Sequence, residues 1–362
     1  YFGVQVRRNP ALTALMVEFC QRFNIPYANH WFAKGGVDET HPLCLGGYNG
    51  AFSAPEMRAY IENEVDYVLD LGTSIIPQDT ASAFQTGTHF IADFPNKTVL
   101  KSTVPREQEL MRILQGLLQA DLPQYRFVPT PRPVVALDPA TKMDFHVLTD
   151  VINSLQQAQE FGTVFVPEVG NSFFASFGLQ PRATQLGINW VTNPWYAAMG
   201  TALPYARVVA ETIRTAGHTD RVVMITGDGG FHFQLNELIH LQKQQVPVTI
   251  LYMRNDVFHL GKSGDGPIYH CSTGHFDVKL LVQAYGGEAR RCETVGAFSE
   301  YYRECLAANQ GIRLIEVPCS LEPEYQCREI ALLNLYIKSR NGDPQSQALW
   351  QAAIQPPAPA TP

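Results

Sequence analysis

Gly227-Asp228-Gly229-Gly230 directly follows the apolar run Val222-Val223-Met224-Ile225 and precedes a segment with Leu235, Leu238 and Ile239 at helical spacing. Glycines between a strand and a helix let the backbone turn sharply and approach a ligand, and the N–H groups that open the next helix favour an anion. The chemistry this suits is phosphate binding. Asp228 stands at the carboxyl end of its strand, the edge at which open α/β sheets take ligands, and offers a hard oxygen to Mg²⁺. A second apolar run, Val248-Thr249-Ile250-Leu251-Tyr252, ends at Arg254-Asn255-Asp256. If the two strands are neighbours joined by one crossover helix, Asn255 emerges beside Asp228 at the same edge. Alone, Gly-Asp-Gly reads most simply as a turn. The convergence of two strand ends on one point is what turns it into a candidate site.

Other constellations carry less. His259, His270, Cys271 and His275 lack the paired spacing of a structural zinc centre. Gly261-Lys262-Ser263 is similar to the end of a P-loop, but Asp256 occupies the place of its first glycine.

The elements that must position these residues alternate between strand and helix. In the first part, Leu12, Leu15, Met16, Phe19 and Phe23 predict a one-sided helix over Asn9 to Asn24, with Pro10 in its first turn. A short strand is expected near Pro26 to Asn29, then a helix from Ser53-Ala54-Pro55-Glu56 with Ser53 as its cap. Strands are expected at Asp66 to Leu71, Thr88 to Ala92 and Thr98 to Lys101, followed by a helix through Leu110, Ile113, Leu114 and Leu117. Pro123, Pro129, Pro131, Pro133 and Pro139 then interrupt the pattern, which marks a linker. Beyond it come a helix through Phe145 to Leu155 and a strand at Thr163 to Val166. Helices follow at Pro194 to Ala210, Phe233 to Gln245, Asp277 to Tyr285 and Ala297 to Ala308. Strands are expected at Arg221 to Thr226, Pro247 to Met253 and Arg313 to Val317. From Gly342 the Pro, Ala and Gln content reads as a mobile tail. The fold class is therefore α/β, with two doubly wound, mostly parallel-sheet domains joined by a Pro-rich linker. The expected boundaries are 1–120, linker 121–140, 141–340 and tail 341–362.

Composition narrows the function classes. With 362 residues, 45% hydrophobic and 17% charged, the chain has enough apolar content for two cores and matches neither a disordered nor a fibrous class. A net charge of −7 provides no basic field for nucleic acid. Neither a signal peptide nor an apolar stretch of membrane-spanning length is found. The seven cysteines are scattered, without a C-x-x-C pair, which fits a reducing, cytoplasmic setting. The chain opens Tyr1-Phe2-Gly3-Val4 in what reads as mid-strand, so an upstream segment is expected to have been removed.

Gly227-Asp228-Gly229 with Arg254-Asn255-Asp256 resembles the thiamine-diphosphate motif, which begins Gly-Asp-Gly and closes Asn-Asn. The resemblance extends to Pro167-Glu168-Val169-Gly170-Asn171-Ser172-Phe173-Phe174, similar to the loop that meets the diphosphate. It includes Pro194-Trp195-Tyr196-Ala197-Ala198-Met199-Gly200, similar to the segment that supports the thiazolium and pyrimidine. Lys34-Gly35-Gly36-Val37-Asp38-Glu39-Thr40-His41-Pro42 and Gly47-Tyr48-Asn49-Gly50 resemble the central domain of pyruvate, indolepyruvate and phenylpyruvate decarboxylases. The resemblance implies that Asp228, the side-chain oxygen of Asn255 and the carbonyl of Val257 bind Mg²⁺, while Gly170, Asn171, Gly227, Gly229 and Gly230 line the diphosphate. It places the bulky residue that bends the cofactor at Trp195, and the carbonyl that orients the pyrimidine amine near Asn193. The reaction implied is decarboxylation of a small-molecule 2-oxo acid to an aldehyde, with carboligation of the acyloin or acetolactate type as the alternative.

Three departures accompany the resemblance. Arg254 replaces the motif's first Asn. Gly261 stands where pyruvate decarboxylases carry a Glu soon after the motif, so His259 is the candidate proton-relay group. The pyrimidine-binding domain that supplies the activating Glu has no counterpart in the chain, which calls for an upstream domain or a partner subunit. A homodimer or homotetramer is the implied assembly. A non-catalytic subunit that holds cofactor without turnover is the reading from another class.

Overall fold

Apolar runs alternating with one-sided helical segments fold into nine strands among the described residues. The computed structural model describes residues 1–72, 98–101, 107–129, 135–193, 197–258, 273 and 277–355. The chain divides into two compact units, one of residues 1–133 with 351–362 and one of residues 134–350.

In the second unit, β5 (Thr163–Pro167), β6 (Arg221–Gly227), β7 (Val248–Arg254), β8 (Glu288–Arg291) and β9 (Ile312–Pro318) form a wholly parallel sheet in the order β5-β6-β7-β9-β8. Such a sheet is covered on both faces, so its central strands are largely apolar; every residue of β7 is buried. Val222, Met224, Val248, Ile250, Tyr252, Ile312 and Leu314 meet the helices Ala202–Thr215, Glu237–Gln244 and Val278–Ala284 on one face. The alternate residues Val223, Ile225, Leu251, Ile315 and Val317 are equally buried and point to the other face. There the helix Val295–Ala307 packs on β9 and on the helix Phe145–Gln157. This is the doubly wound arrangement expected.

In the first unit, β1 (Tyr27–Asn29) pairs with β2 (Cys44–Gly47) and β3 (Tyr67–Asp70) with β4 (Thr98–Lys101), both in parallel. Phe2 lies between the two pairs, bridged in parallel to Asn29 and to Leu71. Phe2 N donates to Ala28 O at 3.1 Å and Gly3 N to Leu71 O at 2.9 Å. The helix Pro10–Phe23 is capped by Asn9, whose side chain accepts from the N–H groups of Ala11 and Leu12. Its residues Leu12, Met16, Phe19 and Phe23 share a core with Leu110, Leu114 and Leu118 of the helix Glu107–Gln119. The buried stripe of that helix is thus 110/114/118, and Ile113, expected in it, is 39% exposed.

Several expectations are corrected. The helix expected from Pro194 begins at Ala202, because Ala197 (φ 49°) and Gly200 (φ 86°) have left-handed backbone that no α-helix accommodates. The helix expected over Phe233 to Gln245 is shorter, Glu237–Gln244, and a separate short helix, Asp228–Phe233, precedes it. Ser53 is not the cap of the helix Pro55–Ala59, which Ala54 precedes; its hydroxyl accepts the Asn49 N–H instead. β2 and β8 were not expected: β2 is four residues long, and β8 is a polar edge strand, Glu-Ala-Arg-Arg. Residues 344–354, assigned to a mobile tail, form a helix that follows the helix Arg328–Arg340. Its carboxyl end is capped within the first unit by Arg58, which donates to the carbonyls of Ala353, Ile354 and Gln355 at 2.8, 2.8 and 2.6 Å. The strand expected at Thr88 to Ala92 lies outside the described residues.

Candidate cofactor and metal site

β6 and β7 are parallel neighbours with Gly227 opposite Met253, so the residues that follow each strand emerge side by side. Asp228 is 2% exposed and sits where the two strand ends meet. Its Oδ2 accepts the backbone N–H of Asn255 at 2.8 Å and that of Asp256 at 3.1 Å. Its Oδ1 accepts the Tyr252 hydroxyl at 2.7 Å. Asn255 Oδ1 accepts the Val257 N–H at 3.2 Å, which folds residues 255–257 into a tight turn. Burial pushes the Asp228 carboxyl above the usual carboxylate range, against the pull of the Tyr252 and Asn255 hydrogen bonds. Burial and the Asp228 charge together raise the Tyr252 phenol. His232, whose Nε2 lies 3.5 Å from the Tyr252 hydroxyl, is lowered by burial, with Asp228 opposing.

The donor set fits a hard cation. A carboxylate has about four acceptor positions. The three hydrogen bonds on Asp228 leave room at Oδ1, and the Asn255 amide oxygen keeps a second lone pair. Among the described residues no group of three or more His, Cys, Asp or Glu is placed to hold a metal ion. A metal here would therefore rest on one carboxylate, amide and carbonyl oxygens, and oxygens of its own ligand, which is Mg²⁺ chemistry rather than zinc chemistry.

β5 brings the second half of the site to the same edge. Residues 189–192 run beside it: Phe165 N donates to Asn189 O at 3.0 Å and Val191 N to Phe165 O at 2.8 Å. Thr192 Oγ1 donates to Pro167 O at 2.9 Å, which carries Asn193 to the end of the strand. Glu168 follows and is fully buried. Its carboxylate accepts from the N–H of Val169 at 2.9 Å and of Ala202 at 3.1 Å, and so fastens the start of the helix Ala202–Thr215 to the end of β5. Burial raises this carboxyl as well, opposed by hydrogen bonds from Val169, Ala202, Gly200 and Thr201. Gly170 (φ 103°) turns the chain into the short helix Asn171–Ala175.

Glycine is required twice where the edge is tightest. A Cβ on Gly229 would lie 2.5 Å from Phe258 Cε1, and one on Gly230 would lie 2.2 Å from Glu168 Cγ. The fold thus brings Gly170, Asn171, Asn193, Gly227, Asp228, Gly229, Gly230, Asn255 and Val257 to one sheet edge. Trp195 and His259 lie outside the described residues, as do His270, Cys271 and His275.

Three features escaped the sequence reading. Glu168 gave no signal beyond its place in the loop. Tyr252 could have been suspected as a phenol in a buried strand, a group that needs a partner for its hydroxyl. The third is an ion-pair array, in which Arg254 donates to Asp256 at 2.8 Å and to Glu316 at 2.8 Å.

Comparison with known proteins follows the same division. Residues 1–113 match the model of the thiamine pyrophosphate enzyme central domain. Residues 170–317 match that of the thiamine pyrophosphate enzyme C-terminal TPP binding domain. The thiamine metabolism regulatory protein THI3 of Saccharomyces cerevisiae is 25% identical over 331 residues, covering 83% of this chain and 51% of that protein. The pyruvate decarboxylase of Hanseniaspora uvarum is 25% identical over 297 residues, covering 78% and 51%. The crystal structure of benzoylformate decarboxylase from Polynucleobacter necessarius superposes with a TM-score of 0.65 at 20% identity, over 89% of this chain and 61% of that one, a likeness of fold. The chain spans about half the length of the curated relatives it matches, 51% in both cases. With both family models matched in order over residues 1–113 and 170–317, the chain belongs to the thiamine pyrophosphate enzyme family.

Proposed function

We propose that the chain forms the central and diphosphate-binding parts of a thiamine diphosphate- and Mg²⁺-dependent decarboxylase that converts an aromatic 2-oxo acid of the phenylpyruvate or indolepyruvate kind to an aldehyde. The central domain would occupy about residues 1–120 and the cofactor domain about 141–340. The observation that carries this reading is the Asp228–Asn255 contact, in which a buried carboxylate holds the turn presenting a second hard oxygen. Thiamine diphosphate, when bound, supplies the electron sink for loss of CO₂. The residues of this chain hold and orient it. Asp228, Asn255 and the Val257 carbonyl would take the cation that neutralises the diphosphate. Gly229 and Gly230 let the backbone come close, and Glu168 keeps the Gly170 loop and the start of the helix Ala202–Thr215 in register with them. The group that activates the pyrimidine would come from an upstream domain or a partner subunit.

Calorimetric titration of thiamine diphosphate into the chain, with and without Mg²⁺, tests the binding half. Uptake that requires Mg²⁺ and is lost in Asp228→Ala supports the assignment; unaltered binding in the variant overturns it. Products separate the activities, with an aldehyde from decarboxylation and a 2-hydroxy ketone from carboligation.

A second reading rests on two specific observations. Gly261 replaces the Glu that follows the motif in pyruvate decarboxylases, and one similar protein carries a regulatory name. In that reading the chain binds the cofactor without turnover, and Mg²⁺-dependent uptake persists with no product from any 2-oxo acid.

A further inference from the structure

Building on the reading that Asp228 and Asn255 take a cation, we propose that Arg254 is the positioning residue of that pair, shaping the turn at residues 255–257 and anchoring it to β9. Arg254 ends β7 and is 9% exposed. Its guanidinium forks onto the carboxylate of Asp256, Nε to Oδ1 at 2.8 Å and Nη2 to Oδ2 at 3.2 Å. Nη1 reaches sideways to Glu316 Oε1 at 2.8 Å. Glu316 is 2% exposed and lies on β9, opposite Tyr252 in the register. The main chain of Arg254 is tied to the same region, its carbonyl accepting the Cys319 N–H at 2.7 Å.

The array acts on Asp256. This residue has φ 57°, the left-handed region that non-glycine residues enter only with help from their surroundings. In that conformation the N–H of Asp256 and that of Asn255 both face Asp228 Oδ2. A different turn would direct one of them elsewhere and carry the Asn255 amide oxygen away from the carboxylate. The two-point grip on Asp256 and the third contact to β9 therefore hold the geometry in which two hard oxygens converge. A planar guanidinium supplies this; an ammonium has the charge without the fork, and an Asn, the residue of the thiamine-diphosphate motif at this place, has no charge. Arg254 also pairs with both Asp256 and Glu316, so its single positive charge offsets part of the negative charge of the two carboxylates.

Two measurements on the full chain test this. The first is Mg²⁺-dependent uptake of thiamine diphosphate by Arg254→Lys and Arg254→Met, with Glu316→Gln as a milder change that spares the fork. The second, made without cofactor, is amide hydrogen exchange at residues 255 and 256. Both Arg254 variants should bind about 10 to 100 times more weakly, as for the loss of a residue that orients a metal ligand. Exchange at both amides should rise in the Lys variant while the rest of the sheet stays protected. A Lys variant that binds as the wild type does would overturn the role of the fork, and weakened binding with unchanged exchange would overturn action through the turn. If the Met variant does not fold, the Lys and Gln variants decide the matter. A wild-type chain that takes up no thiamine diphosphate with Mg²⁺ removes the proposed function and this inference together. That result is distinct from failure of the inference alone, in which wild type and Lys variant bind equally.

Discussion

Glu168 fills the space that a methyl group on Gly230 would occupy, for a Cβ there would lie 2.2 Å from Cγ and 2.7 Å from Cδ of the carboxylate side chain. Glu168 follows β5 and Gly230 lies in the short helix Asp228–Phe233 that follows β6, and their contact sets how closely these two segments approach.

In Gly230→Ala, either Glu168 swings away and releases the N–H groups of Val169 and Ala202, or the two segments separate. Overpacking of this kind costs about 1–3 kcal/mol. The loss should appear as a lower urea midpoint for the second unit. Adding Glu168→Ala to Gly230→Ala should cost less than the two single changes summed, because the collision is then gone.

In the proposed site, Asp228 would act on stability and on cation binding in opposite senses. Its carboxyl is raised by burial in the folded chain, so between the ordinary and the raised value the native state binds more protons than the unfolded one. Its contribution is fully present below the ordinary carboxylate range and is lost as pH rises through the raised value. Asp228→Asn should thus leave the cofactor-free chain at least as stable at neutral pH and flatten this part of its pH dependence. The same variant should lose the thermal shift that Mg²⁺ with thiamine diphosphate gives the wild type. Thermal unfolding across pH, with and without both ligands, reads both effects.

Lys34 and Glu39 form an ion pair at 2.5 Å with side chains 0% and 1% exposed, and Asn29 Nδ2 donates to the other Glu39 oxygen at 3.1 Å. Removing one partner leaves a buried charge uncompensated, at about 3–5 kcal/mol. Lys34→Met should therefore destabilise the first unit severely, and Lys34→Met with Glu39→Gln should recover a large part of the loss. Guanidinium denaturation of the three proteins checks the order.

His30 provides an acid-sensitive element in the same unit. Burial lowers its imidazole to about 4, and its Nδ1 accepts the Phe32 N–H at 3.2 Å, which requires that nitrogen to be unprotonated. Between the unfolded value of about 6.5 and the folded value, the unfolded chain binds more protons. The stability contribution is thus present above the former and is lost as pH falls toward the latter. His30→Gln should flatten the pH dependence across this window. The nearby Trp31, 4% exposed, is a fluorescent reporter of the first unit's unfolding for that measurement.

How far the site was legible depended on the range of the interaction. The Gly227–Gly230 turn and the Asn255 turn each follow an apolar run, so local pattern located them and the βαβ rule paired them. The helix Pro10–Phe23 was equally plain from its stripe and its proline. The beginning of the helix Ala202–Thr215 was not, because it depends on Glu168 arriving from another strand and on left-handed backbone at Ala197 and Gly200. The helix Pro344–Ile354 was taken for a tail because its composition is weakly amphipathic; it is held by Trp350 against Tyr336 and, at its end, by Arg58.

By itself the amino-acid sequence determined the α/β class, the two-part organisation and the glycine-aspartate turn with its distant asparagine, since periodicity and turn chemistry are written in neighbouring residues. Only the tertiary structure decided that Tyr252 bonds Asp228, that Glu168 needs Gly230 to be bare, and that Arg254 reaches Glu316. Those contacts join residues 24, 62 and 62 positions apart for the first, second and third pairs. Their partners are chosen by sheet order and by the burial of charge, and neither can be read from the neighbours of a residue along the chain.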